Sequence, residues 1–262
     1  EIGYQGQQIE ALENLSATEK ANMLFIVQDP YTSYYDAKVV RDFVALTQKL
    51  GFEPIILPFK PNGKAMHIKG FLARFSKTAK TQAEFLNRIA KLNVPLVGVD
   101  PAIVLSYRDE YKEALGDSRG DFHVLTAHEW LTNQLESNAL QSAVKNIAKS
   151  DCNFEWHLFP HCTESTFMPN SPKEWQNIFA QFGQTLNVEK VGCCGMAGVF
   201  GHEVQNQTMS KDIYDVSWGK KLQGKDPNHC LATGYSCRSQ VKRYEKAILK
   251  HPVQALLEVL NN

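Results

Sequence analysis

Met23-Leu-Phe-Ile-Val27 is a short, continuous apolar run that stops at Gln28-Asp29-Pro30. A run of this length bounded by turn residues is typical of a strand buried on both faces of a parallel sheet. Apolar residues at helical spacing follow over Asp36–Leu50, where Gly51 predicts the end of a helix, and Pro54–Leu57 predicts the next strand. This alternation of strand and helix predicts an α/β fold with a mostly parallel sheet.

The second half of the chain repeats the plan. It predicts strands at Trp156–Phe159 and Val188–Val191, with a helix over Ser171–Phe182 between them. A Gly-rich loop follows the second strand, and a last helix ends at Leu256–Leu260.

Two loops of the halves align without a gap. Asp29-Pro30 aligns with His161-Cys162, and at the same offset of 132 residues Pro61-Asn62-Gly63 aligns with Cys193-Cys194-Gly195. We therefore predict two pseudo-repeated α/β units with mostly parallel sheets and helices on both faces. The predicted boundaries are a lead-in at residues 1–22, a first repeat at 23–150 and a second repeat at 151–262.

The composition excludes two classes of partner. The chain has 262 residues with 28 basic and 28 acidic side chains. Phosphate binding normally needs a basic excess, so nucleic acid is not an expected partner. Gly, Pro or charge interrupts every apolar stretch before the roughly 18 residues of a membrane span, so no transmembrane segment is expected. The chain begins at Glu1 without an initiator Met, and we interpret it as a piece of a longer protein.

All six cysteines lie in the second half of the chain. A secreted domain held by disulfides would be shorter and would distribute its cysteines more evenly. We therefore interpret them as reduced thiols of a cytoplasmic protein, available for metal binding or redox chemistry, with Cys152 as a structural thiol. They are Cys152, Cys162, Cys193, Cys194, Cys230 and Cys237.

Four groups of candidate site residues fall where a predicted strand ends and a loop begins, the edge on which α/β folds build their sites. Glycines in these loops would let backbone N–H groups approach an anionic centre and hydrogen-bond to its sulfur atoms. Thiols and glycines together favour a metal–sulfur cluster. The four groups are His161-Cys162, Gly192-Cys193-Cys194-Gly195, His229-Cys230 and Tyr235-Ser236-Cys237.

Two other uses of these thiols stay open. Four thiolates also suit structural zinc, although zinc sites usually present short pairs of the C-x2–4-C type, and no pair here has that spacing. The adjacent Cys193 and Cys194 could instead form a disulfide. A zinc-binding structural or interaction domain and a thiol–disulfide redox domain are thus the alternatives to a cluster.

The order Cys162, Cys193-Cys194-Gly195 and Tyr235-Ser236-Cys237 resembles the cysteine-rich CCG domain. That domain occurs in one of the subunits of heterodisulfide reductase and in the iron–sulfur subunits of glycolate oxidase and anaerobic glycerol-3-phosphate dehydrogenase. The match extends from Met23 to Leu260. It looks closest to the C-terminal region of bacterial FAD-linked dehydrogenases that oxidise D-2-hydroxyacids such as D-lactate or D-2-hydroxyglutarate.

The resemblance implies an oxidoreductase in which this chain is an iron–sulfur electron-transfer module without catalytic residues of its own. One cluster of the 4Fe–4S type is implied, with zinc or an empty site in protein prepared in air. FAD is implied in a separate domain of the parent protein. Electrons would pass from that flavin domain to a quinone or another redox carrier, in the cytoplasm or at the inner face of the membrane.

The resemblance also implies roles for individual residues. The implied ligands are Cys162, Cys193, Cys194 and Cys237, with Cys230 as a fifth candidate. Hydrogen bonds to the cofactor are expected from Gly192, Gly195 and His161.

Two departures from the family pattern limit these roles. The first repeat of family members usually has cysteines, but Pro30, Pro61-Asn62 and Ile103 stand at those positions here, so one cluster is expected. Family members also have a cysteine at the position of Gly234.

A basic stretch runs from Lys60 to Lys91, with eight Lys or Arg residues against Glu84 alone. It predicts either a solvated helix face or a surface that docks an acidic partner, such as the flavin domain.

Overall fold

The fold is α/β with parallel sheets, as the sequence predicts. The computed structural model of the chain describes residues 9–137, 140 and 155–261. Contacts divide the chain between Trp130 and Leu131 into two compact units, which we call unit 1 and unit 2. The predicted boundary between the repeats, at residue 150, lies outside the described residues, as does Cys152.

Unit 1 contains a parallel four-stranded sheet of order β2-β1-β3-β4. All four side chains of β1 are buried, which explains the continuous apolar run at its position. The sequence predicts the first two strands as described above and a third at Val94–Val99, whereas β4 has three residues and is too short for periodicity to mark it. The strands are β1 (Met23–Ile26), β2 (Glu53–Ile56), β3 (Leu96–Gly98) and β4 (Val124–Thr126).

The helices of unit 1 alternate with these strands. The sequence also has helical patterning from Ile68 to Leu92, but the helix begins only at Leu72, because Gly70 has a φ of +76° and ends the short helix before it. Short 3-10 or π segments lie at Ile9–Asn14, Tyr31–Tyr35 and Gly116–Arg119. The helices are α1 (Ala17–Lys20), α2 (Ala37–Lys49), α3 (Lys64–Ile68), α4 (Leu72–Ala90), α5 (Pro101–Arg108), α6 (Glu110–Leu115) and α7 (Ala127–Glu136), which continues across the division at residue 130.

Buried polar side chains occupy the carboxyl end of the unit 1 sheet. Asp29 follows β1, Asn62 follows β2 and Asp100 follows β3, and all three are buried. Asp29 accepts hydrogen bonds from the backbone N–H groups of Tyr31 at 2.7 Å and Thr32 at 2.9 Å. Burial, and then repulsion from Asp100, raises the pKa of Asp29 to about 7. Where unit 2 carries thiols, unit 1 thus carries a pair of buried carboxyl groups.

Unit 2 contains a parallel three-stranded sheet of order β6-β5-β7. A bridge between Leu231 and Lys250 extends this sheet beyond β7, in the position that β4 has beside β3 in unit 1. The order β2-β1-β3 of unit 1 therefore recurs as β6-β5-β7, in agreement with a sequence repeat. The strands are β5 (Glu155–Phe159), β6 (Thr185–Val188) and β7 (Cys230–Ala232).

The strand predicted at Val188–Val191 is wrong by three residues. The strand in the structure is β6, and its pairing with β5 begins at Glu155↔Thr185 and ends at Leu158↔Val188. Since β5 itself ends at Phe159, a strand continuing to Val191 would have no partner. Pairing with β5, rather than local apolar character, decides where β6 lies.

In unit 2 a helix begins within three residues of the end of β5 and of β7, whereas a long loop follows β6. Short 3-10 or π segments lie at Phe200–His202, Val204–Asn206, Asp215–Gly219 and Pro227–His229. No helix in the described part of the chain is long and apolar enough to cross a membrane. The helices are α8 (Cys162–Phe167), α9 (Ser171–Gln181), α10 (Gln207–Tyr214), α11 (Lys220–Leu222), α12 (Tyr235–Tyr244) and α13 (Pro252–Asn261).

Candidate functional site

Three segments that carry cysteines leave the carboxyl end of the unit 2 sheet. Cys162 begins α8 shortly after β5, Cys193 and Cys194 lie in the loop after β6, and Cys237 lies in α12 after β7. Because β5 is the central strand and all three strands are parallel, these segments emerge side by side. The structure thus brings together four of the five predicted ligands.

The four thiols lie close enough to interact with one another. Cys193 Sγ accepts hydrogen bonds from Cys162 and Cys194, and Cys194 also hydrogen-bonds Cys237. These bonds, the one from Cys162 first, hold the pKa of Cys193 well below its usual range. The hydrogen bond to Cys193 and then other thiol contacts and burial raise the pKa values of Cys162 and Cys194. Negative charge therefore localises most readily on Cys193 Sγ.

Backbone N–H groups add to the stabilisation of this charge. The Gly195 N–H donates to Cys193 Sγ at 3.3 Å. The Ala197 N–H also hydrogen-bonds Cys193, and the Met196 N–H hydrogen-bonds Cys194. Gly195 (φ +82°) and Ala197 (φ +39°) both have left-handed backbone, and such turns direct successive N–H groups toward an anion. The Gly195 N–H thus lies beside a sulfur atom, and its predicted hydrogen bond to a cofactor stays a prediction.

Gly195 is packed too closely to carry a side chain. An added Cβ would lie 2.1 Å from the carbonyl oxygen of Ser210. The Ser210 hydroxyl donates to the Gly195 carbonyl at 2.7 Å. Gln240 donates to the Cys194 carbonyl at 2.9 Å and to Ser210 Oγ at 2.8 Å. These two buried side chains attach the cysteine loop to α10 and α12.

Gly192 does not make the predicted contact. Its N–H donates to the Ser217 hydroxyl at 2.7 Å, and its carbonyl accepts a hydrogen bond from Trp218 at 3.1 Å. An added Cβ would meet nothing closer than Ser217 Oγ, at 3.6 Å. Its N–H is therefore used to close the loop and is not directed to a sulfur.

His161 is buried next to Cys162 and is held by a chain of hydrogen bonds. Its backbone N–H donates to the Thr233 hydroxyl at 2.9 Å, and Thr233 donates in turn to the buried Glu164 carboxylate. Ser171 also donates to Glu164. The Nδ1 atom of His161 is buried without a hydrogen-bond partner among the described residues. Since buried imidazole nitrogens normally have a partner, this atom retains capacity for a bound group.

Cys230 lies apart from the four thiols. The prediction that it follows the end of a strand is wrong, because β7 begins at Cys230. Its charged neighbours are Lys225, Glu189 and Asp226, and burial raises its pKa to about 11. No hydrogen bond joins its sulfur to another cysteine of the described chain.

The thiols and their neighbours do not form a site for a single metal ion in the described part of the chain. Within residues 9–137, 140 and 155–261, no group of three or more His, Cys, Asp or Glu side chains is arranged to hold a metal ion. The four thiols are therefore not arranged around one ion, which limits the kinds of group that they could bind.

Sequence reasoning missed the polar side chains that hold these loops. Gln240 has a usable signal, because it lies three residues after Cys237 and so on the same side of a helix. Ser210, Thr233 and Glu164 have no such signal, since their partners are distant in the sequence.

Fold and site together define an α/β chain of two units with a thiol centre at one sheet edge. No family model matches the chain. It is 80 % identical over 260 residues to the D-2-hydroxyglutarate dehydrogenase of Haemophilus influenzae, which covers 99 % of this chain and 25 % of that protein. It is 57 % identical over 252 residues to the D-2-hydroxyglutarate dehydrogenase of Escherichia coli K12, covering 96 % of this chain and 24 % of that protein.

A more distant relative is one of the subunits of the anaerobic glycerol-3-phosphate dehydrogenase of Escherichia coli K12. The identity is 21 % over 241 residues, covering 88 % of this chain and 57 % of that protein. The similarity to D-2-hydroxyacid and glycerol-3-phosphate dehydrogenases that the sequence predicts is confirmed, while the CCG domain stays a prediction. The chain spans about a quarter of the length of the D-2-hydroxyglutarate dehydrogenases that it matches.

Proposed function

We propose that this chain is the iron–sulfur electron-transfer module of an FAD-linked D-2-hydroxyacid dehydrogenase, and that the whole protein oxidises D-2-hydroxyglutarate. The substrate is inferred from the name of a relative that is 80 % identical over 99 % of the chain. The observation that supports the cofactor is the group of four interacting thiols from three segments, with backbone N–H groups on two of the sulfurs.

The donor set fits a cluster better than a single ion. One tetrahedral zinc ion needs its donors at about 2.3 Å from one point, whereas no three of the described His, Cys, Asp or Glu side chains are arranged to hold one ion. A cluster binds each thiolate through a different iron atom, so the adjacent Cys193 and Cys194 need not converge. The Gly195 N–H and His161 Nδ1, which has no hydrogen-bond partner among the described residues, are the kind of donors that surround cluster sulfurs.

In this proposal Cys162, Cys193, Cys194 and Cys237 hold the cluster. When bound, a cluster accepts and releases one electron at a time. The chain's own residues would stabilise that change of charge. The N–H groups of residues 195–197 stabilise negative charge on sulfur, and the burial of Cys194 and Cys237 keeps water away.

The flavin and the electron acceptor belong to other parts of the system. FAD would lie in a domain of the parent protein outside this chain, and a quinone or another carrier would take the electrons, in the cytoplasm or at the inner face of the membrane. The partial coverage of the relatives leaves room for such a domain.

Metal analysis of the full-length protein, prepared without oxygen, tests the cluster. Relative to the unmodified protein, Cys193→Ser and Cys237→Ser should each lose about four irons and a similar amount of sulfide. Cys230→Ala is the matched control and should keep them. Stoichiometric zinc without iron would favour a zinc domain, and a metal-free disulfide between Cys193 and Cys194 would favour a thiol redox domain.

A kinetic experiment separates electron transfer from substrate oxidation. In the Cys193→Ser protein, D-2-hydroxyglutarate should still bleach the flavin absorbance under anaerobic conditions. Reduction of an added one-electron acceptor should be lost. If flavin bleaching disappeared as well, with the protein still folded, the thiol centre would take part in substrate oxidation, and the proposed role would be wrong.

A further inference from the structure

A row of positive charges lies on the exposed face of α4. This face, which we call the basic face, is formed by Arg74, Lys77, Lys80, Arg88 and Lys91, all of them exposed. At 100° per residue, the five positions fall within an arc of about 120°. Glu84 is the acidic residue on the same arc, so five positive charges stand against one negative charge. The opposite side of α4 is buried in the core of unit 1.

These charges are not neutralised by the described part of the chain. None of the five cations forms an ion pair with a described residue. Lysines elsewhere do form ion pairs, such as Lys38 with Asp42 and Lys225 with Glu189. The basic face therefore holds five positive charges on one helix without an ion pair to the described residues, which favours a negatively charged partner.

Aromatic rings border the basic face. The Arg74 guanidinium lies 5.7 Å from the ring centroid of Phe71, and the Arg88 guanidinium lies 5.8 Å from that of Phe85. The Lys60 ammonium group reaches Phe85 at 5.5 Å. Phe71 is 55 % exposed, although large apolar side chains are usually buried. Cations next to exposed aromatic rings are typical of segments that lie at the headgroup level of a membrane.

The amino-acid composition of the basic face favours a lipid surface over a protein partner. Protein interfaces are enriched in Arg and depleted of Lys, whereas three of the five cations here are lysines. Anionic headgroups attract Lys and Arg alike. The charges extend from Arg74 to Lys91, about 26 Å along the helix, which suits an extended flat surface.

We propose that the basic face of α4, together with Phe71, binds the surface of a bilayer that contains anionic lipids. The helix would lie parallel to the membrane plane, with its apolar side remaining in the core of unit 1. This inference does not depend on the proposed redox function.

Co-sedimentation of the full-length protein with lipid vesicles tests this proposal. Vesicles of equal parts phosphatidylcholine and phosphatidylglycerol should bind the protein, and added salt should weaken the binding. Vesicles of phosphatidylcholine alone should not bind it. The double variant Lys77→Gln/Lys80→Gln should bind the anionic vesicles about 30-fold more weakly.

The matched control is Lys220→Gln/Lys221→Gln, which removes the same charge from exposed positions of α11 in unit 2. It should bind like the unmodified protein. Equal weakening by both double variants, or no binding to the anionic vesicles, would overturn the proposal. A protein partner is the remaining outcome: the full-length protein would not bind vesicles, and Lys77→Gln/Lys80→Gln would slow electron transfer from the flavin, which also overturns it.

Discussion

The imidazole ring of His161 occupies the space beside the backbone of Gly234. A Cβ added at Gly234 would lie 2.3 Å from Cδ2 and 3.2 Å from Cβ of His161. The family that the sequence resembles has a cysteine at this position, where this chain has glycine. The absence of a side chain at Gly234 and the burial of His161 are therefore linked, because a side chain at residue 234 would overlap the imidazole ring.

Replacing Gly234 by alanine should lower the free energy of unfolding by about 1–3 kcal/mol, because the new methyl group overlaps the His161 ring. His161→Ala removes the ring, so the double variant should recover part of that loss. Urea unfolding of the two single variants and the double variant measures the coupling. An equal cost of Gly234→Ala in both backgrounds would show that the ring is not the cause.

Gly195→Ala should lower the free energy of unfolding more, by about 2–4 kcal/mol, since it combines a φ of +82° with a clash against the Ser210 backbone. Gly192→Ala is the control from the same loop, where an added Cβ meets nothing within 3.6 Å. Its unfolding free energy should change by less than about 1 kcal/mol. Thermal or urea unfolding gives the comparison, and similar costs at the two positions would contradict the described packing.

Thr233→Val should lower the free energy of unfolding by about 1–3 kcal/mol, because it leaves the His161 N–H without its acceptor and removes a donor from the buried Glu164. Thr233→Ser keeps the hydroxyl and serves as the control. Unfolding free energies of the two variants separate the hydrogen bonds from the loss of side-chain volume. If serine were as destabilising as valine, the hydroxyl would have no part in holding this loop.

The buried Asp29 should make stability depend on pH. Its pKa rises from 3.8 in the unfolded chain to about 7 in the folded chain, so the folded state keeps a proton that the unfolded state releases. This contribution to stability is complete below about pH 4 and is lost as the pH rises through about 7, by about 1.4 kcal/mol per pH unit at most.

Asp29→Asn should flatten this dependence in urea unfolding measured between about pH 4 and pH 7. Asp100→Asn should flatten it in part, because it removes the neighbouring carboxylate but leaves Asp29 buried. A slope that persisted unchanged in Asp29→Asn would assign the pH dependence to another group.

Local pattern was sufficient for most of the fold. The apolar run at Met23–Ile26 and the helical spacing over Ala37–Lys49 both predict the elements that form, because burial on both faces or on one face requires that spacing. It failed for β6, which lies at Thr185–Val188 because β5 sets its register. It also failed for β4, whose three residues carry too little pattern.

The sequence by itself determined which chemistry is available: thiols in three segments, glycines beside them, and a basic stretch from Lys60 to Lys91. Only the tertiary structure decided which cysteines meet. Cys230 and Cys237 are close in sequence, but they lie at opposite ends of β7. Cys230 begins this strand, whereas Cys237 lies in α12, which follows the end of the strand. A strand advances about 3.3 Å per residue, so residues at its two ends are separated even when they are close in sequence. Pairing of parallel strands instead brings together segments that are distant in sequence. For that reason Cys237 lies with Cys162, Cys193 and Cys194, and Cys230 does not.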